Sequence, residues 1–200
     1  LQEVALSYSV DGITLLYNRR PPYLDYEEPL VEGFKTSAGK SPFDVPPDDP
    51  EWLRYRASML TIFMRRVREA MNAAAITRGQ PIEISACILG SIEDNLFFGI
   101  DVETWAREGL VDTLMPYSNA PYALPVPTDT WSGPEQVQPF TDAVSGTNCR
   151  LAMNVMPRFM PPEEFRRMAK MLYDAGSESL FFWDSYHRDH HRVYWNALRR

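Results

Sequence analysis

Asp184 follows directly on the apolar run at residues 180–183. A carboxylate released at the end of a buried strand can serve as an acid, a base or a hydrogen-bond acceptor for a substrate. The plain alternative is an aspartate that caps a turn. Arg19 and Arg20 stand at the end of another apolar run, residues 13–17, just after Asn18. A guanidinium there can pair with Asp184 or grip a substrate carboxylate, or it can anchor a loop. Asp184 and Arg19 are therefore the catalytic candidates. Asn18, Tyr17, Arg20, Tyr117, Asn119, Asn154, Trp183 and Tyr186 are the substrate-binding candidates. The aromatic members, with Tyr122 and Trp131, gather at strand ends and in the loops that follow. Their faces suit sugar rings, and they suit loop packing equally well.

Other groups carry weaker chemistry. Glu83 faces inward if its strand alternates. It comes early in that strand, which puts it near the floor, where a buried salt bridge is the natural role. Glu93, Asp94 and Asn95 either overhang a pocket or belong to a solvated loop. His187, His190 and His191 are the chain's three histidines. His187 and His191 share a face only if their segment is helical. Metal sites in barrels draw ligands from several strands, so no metal ligand is assigned. Ser-His-Asp catalysis lacks a nucleophile elbow. Cys87 and Cys149, both in predicted strands, read as two buried free thiols rather than as a disulfide framework.

The elements that must position these groups are legible from periodicity and punctuation. Residues 1–8 read as the end of an amphipathic helix and 13–17 as the first strand. Residues 21–50, rich in Pro, Gly, Asp and Glu, show no clear period and form a long excursion after a strand end. Asp49, Pro50 and Glu51 open a long helix that closes at Arg78-Gly79-Gln80-Pro81. Its apolar stripe reads as Trp52, Tyr55, Met59, Ile62, Phe63, Val67, Ala70 and Met71. Arg54, Arg65, Arg66, Arg68 and Glu69 lie mostly off it, on a solvated face. Residues 82–89 alternate as a second strand, followed by a polar loop at 90–95 and an apolar piece at 96–100. Asp101 caps a short helix stopped by Gly109. Residues 111–115 form a third strand, and a Pro-rich loop runs to Gly133. A helix broken by Pro139 reaches Val144. Residues 150–155 form a fourth strand, 161–176 a capped amphipathic helix, 179–183 a fifth strand, and 192–198 a closing helix.

Strand and helix alternate at roughly thirty residues, the size of a βα unit, so the fold class is parallel α/β. A doubly wound open sheet has strands that are apolar on both faces. The second strand instead puts Glu83, Ser85 and Cys87 on one face, which suits a barrel interior. No Gly-x-Gly-x-x-Gly follows a strand, and no cofactor is expected. The expected architecture is a (β/α)8 barrel, a TIM barrel. Five strands in 200 residues fall short of the roughly 250 residues and eight strands of that fold. The whole chain, 1–200, is therefore expected to be one domain supplying about strands four to eight.

Composition narrows the partners. A net charge of -7 excludes nucleic acid as the main expected partner, because phosphate binding needs a basic surface. No apolar run is long enough to span a bilayer. Nothing in the sequence assigns a compartment.

Val10-Asp11-Gly12-Ile13 with Arg19 and Pro21, the arginine-studded helix, and Gly99-Ile100-Asp101-Val102-Glu103-Thr104-Trp105-Ala106-Arg107-Glu108-Gly109-Leu110-Val111-Asp112 together resemble the glycoside-hydrolase-like TIM-barrel proteins labelled family-10-like. The resemblance covers most of the chain. It implies a barrel acting on carbohydrate or another small polar substrate, with its pocket at the carboxyl ends of the strands. Such proteins commonly carry carboxylates in the first strand, as Gly-Ile-Glu-Leu-Asp. Here Thr14 and Leu16 hold those positions. A glycosidase needs two carboxylates flanking the scissile bond, so Leu16 opens the alternative of a non-catalytic carbohydrate-binding protein. A metal-dependent hydrolase using His187 and His191 is the third reading.

Overall fold

Five strands pair in parallel in the order in which the chain makes them: β1 (Gly12–Leu16), β2 (Glu83–Ile88), β3 (Thr113–Pro116), β4 (Arg150–Val155) and β5 (Ser179–Phe182). The computed structural model describes residues 1–18, 22–118, 131–155 and 161–182. Its helices are α1 (Gln2–Ser7), α2 (Glu28–Ala38), α3 (Pro50–Arg78), α4 (Ile92–Phe97), α5 (Val102–Arg107), α6 (Gln138–Val144) and α7 (Pro162–Asp174), with 3₁₀ turns at Pro42–Asp44 and Pro134–Gln136. The expected α/β class with an all-parallel sheet is the fold. Among the described residues no helix is long and apolar enough to cross a membrane.

The register separates the two faces of the sheet. Ile13, Leu15, Ile84, Ala86, Leu114, Leu151 and Met153 point one way and join a single core. Met64 of α3, Trp105 of α5, Phe140 of α6 and Phe165 of α7 complete that core. A right-handed crossover between neighbouring parallel strands returns its helix to the same side each time. Sequential strand order therefore stacks these helices on one face. The opposite face carries Thr14 and Leu16, then Ser85 and Cys87, then Thr113 and Met115, in register across β1, β2 and β3. No described helix residue joins the small cluster that Cys87, Met115, Tyr117 and Phe181 form there.

Helix α3 begins as its sequence requires. The Asp49 carboxylate accepts from the Glu51 and Trp52 backbone N–H groups, both at 3.0 Å, Pro50 is in the first turn, and Gly79 ends the helix at φ 72°. The buried stripe is Trp52, Arg56, Leu60, Met64, Val67, Met71 and Ala74. It is rotated from the one read by hydrophobicity, because Ile62 and Phe63 are 39% and 48% exposed. The rotation admits two polar residues: Arg56, whose two Nη atoms find partners while its Nε does not, and Thr61, whose hydroxyl accepts from Trp105 Nε1 at 3.1 Å.

Two helices lie where no period was visible. Helix α2 buries only Val31 and Phe34, too few to register as a stripe. Phe34 packs edge-on against Trp52, 5.1 Å between centroids. Helix α4 occupies the expected loop. Ser91 caps it through the Asp94 N–H at 3.0 Å. The Asn95 side chain ties it back to Leu89 N and O and to Ser91 O. Pro139 does not break α6 but sits in its first turn, where its missing N–H costs nothing. Glu83 does face away from the helices and pairs with Arg150 at 2.5 Å, but the pair is open to solvent, at 52% and 48% exposure. The arginines of α3 are not all solvated: Arg65 stays on the exposed face in a two-pronged bond to Glu108, but Arg68 is largely buried and reaches Asp112 at 2.7 Å.

Asp112 is the knot at the amino-terminal edge of the sheet. One carboxylate oxygen accepts from the Ile84 N–H at 2.6 Å and from Arg68 at 2.7 Å. Its backbone bonds Ile84 O and the Arg150 N–H. It thus joins α3, β2, β3 and β4. Asp112→Ala leaves an inward N–H and a half-buried guanidinium without that acceptor and should cost about 1–3 kcal/mol in urea unfolding. Glu108→Ala, which removes the solvent-facing pair with Arg65, should move the midpoint much less.

Candidate functional site at the carboxyl ends of the strands

The face away from the described helices ends, at the carboxyl edge of the sheet, in Asn18, Leu89, Tyr117, Asn154 and Phe181. Each continues the alternation of its strand on that side. Asn18 is 1% exposed, and neither Oδ1 nor Nδ2 has a hydrogen-bond partner. Asn154 is fully buried. Its Nδ2 donates to Phe181 O at 3.2 Å and its Oδ1 is unpartnered. The Ser118 hydroxyl, one residue past Tyr117, is buried and unpartnered too. Buried polar groups are nearly always paired, and each that is not costs about 1–3 kcal/mol. Asn18, Ser118 and Asn154 bring three such residues to one edge, and Trp52 Nε1, Arg56 Nε and Arg68 Nε on α3 are buried without partners as well.

Below this rim the face turns apolar. Leu16, Cys87, Met115 and Ala152 form the next layer in register. Further down lie Thr14, Ser85, Thr113 and Arg150 in one layer, and then Glu83, which pairs with Arg150. Among the described residues of this face, that pair supplies the charge.

Two loops that follow strands are held by one buried cation. Arg56 is 4% exposed. Its Nη2 donates to Phe97 O at 2.8 Å, in the turn after β2, and its Nη1 to Leu24 O at 3.4 Å, in the segment after β1. The guanidinium also lies over the Trp52 and Phe97 rings, 5.3 and 5.7 Å from their centroids. Burial disfavours its charge and lowers its pKa, with Tyr26, Asp25 and Glu27 acting the other way. Tyr23, in the same segment, donates its hydroxyl to Leu16 O at 3.3 Å and stands edge-on to Tyr17. The structure therefore clamps the first two loops of the rim to the sheet and to each other.

Of the residues expected from sequence, Asn18, Tyr117 and Asn154 are brought to this edge on one face. Tyr17 is turned the other way. Its hydroxyl donates to Met64 Sδ at 3.1 Å, and its ring packs on Trp105 in the helix layer. Burial, with Tyr23 beside it, pushes its phenol pKa up. Arg19, Arg20, Asn119, Trp183, Asp184, Tyr186 and the three histidines lie outside the described residues. Sequence reading missed Ser118, although it follows Tyr117 directly. It also missed Arg56, whose one signal is its place four residues from Trp52 and from Leu60.

The two thiols are free and buried. Burial is the main cause that pushes the Cys149 pKa up to about 12, which makes it a poor nucleophile at neutral pH. No group of three or more His, Cys, Asp or Glu side chains that could hold a metal ion occurs among the described residues. The chain matches no protein-family model and no curated protein.

Arg56→Met keeps the bulk of the side chain and removes both carbonyl bonds. Backbone amides at 22–27 and 95–99 should then exchange with deuterium about tenfold faster or more, while β2 and β4 keep their protection. In the native protein Cys149 should resist iodoacetamide at pH 8. The folded thiol holds its proton more tightly than the unfolded one. Its contribution to stability is therefore complete below roughly pH 8.5 and is lost as pH rises toward about 12, which alkaline urea titrations would resolve.

Proposed function

We propose that this chain is a carbohydrate-active protein of the glycoside-hydrolase-like kind, built as consecutive strands, about four to eight, of a (β/α)8 barrel. Its pocket lies at the carboxyl ends of those strands. The observation that carries the reading is the pair of buried, incompletely bonded amides, Asn18 and Asn154, on the face away from the described helices. Sequential parallel order with helices on one side is the arrangement a barrel requires. Ligands of such folds meet the carboxyl ends of the strands. Asparagine amides, able to donate and accept, suit sugar hydroxyls. Asp184 is the proposed acid or base, with Arg19 as its partner. Arg20, Tyr117, Asn119, Trp183 and Tyr186 complete the proposed substrate contacts.

A second reading, a carbohydrate-binding protein without turnover, is favoured by one observation. Position 16, where the resembling proteins carry a carboxylate, is a leucine on that face, in register with Cys87. No carboxylate lies above Glu83 on that face among the described residues.

A glycan-binding screen with a hydrolysis readout separates the two. Binding with turnover that Asp184→Asn abolishes is the outcome expected of the glycosidase. Binding without turnover assigns the second reading, and turnover unchanged in Asp184→Asn removes Asp184 from the mechanism.

A further inference from the structure

We draw no further inference here: the strongest candidate, the outer edge of β1 with its exposed Leu16 at the margin of the described sheet, carries nothing because nothing in the structure shows what covers it.

Discussion

A right-handed crossover between neighbouring parallel strands can return its helix to one side only. The sheet grows in one direction, β1 to β5, so the α3, α5, α6 and α7 side chains meet a single face and build a single core there. No described helix residue joins the small cluster on the other face. Because side chains alternate along a strand, every second residue of the same five segments is delivered to it without any element of its own. That constraint, more than any single contact, determines which residues can serve a ligand. It places Asn18 and Asn154 on one surface and turns Tyr17 into the core.

Polar groups are paired incompletely at both ends of the sheet. At the amino-terminal edge the carboxylates are matched, while Arg68 Nε is buried without a partner. Asp112 takes the Ile84 N–H and Arg68, and Glu83 takes Arg150. At the carboxyl edge the frame is held by side-chain bonds to backbone groups, with Arg56 Nε and Trp52 Nε1 left without partners. Arg56 and Tyr23 fix the loops to carbonyls, and Asn95 closes the turn after β2 with three bonds to backbone groups. Inside that frame Asn18, Ser118 and Asn154 keep unbonded atoms. These unbonded atoms lie at the end of the sheet where ligands of parallel α/β folds meet the strands.

Much of this fold is legible in the sequence, and what is not has physical causes. The strands announced themselves by β-branched and apolar runs, and α3 by Asp49, Pro50 and Gly79. Strand alternation put Glu83 on the correct face, although its pair with Arg150 proved open to solvent. The face of α3 was misread because Ile62 and Phe63 outscored Arg56 in hydrophobicity, whereas burial of Arg56 is decided by two carbonyls and two rings that come from distant segments. Helix α2 was invisible because two buried residues make no period. Asn18 was legible as a strand-end polar residue. That its amide lacks partners depends on packing, and no local pattern encodes it. The direction of Tyr17 follows from register, which appears only once β1 is set against β2.

The most direct test of a ligand site at this edge is to watch its two amides. The side-chain amide resonances of Asn18 and Asn154 can be followed by NMR while cellobiose, xylobiose and N,N′-diacetylchitobiose are titrated in turn, with the exposed Asn72 of α3 as an internal reference. For at least one neutral sugar, both rim amides should shift together along one saturable curve while Asn72 stays in place. If Asn18 and Asn154 hold their positions under every sugar, or move no more than Asn72, the carboxyl edge of this sheet is not the sugar-binding site.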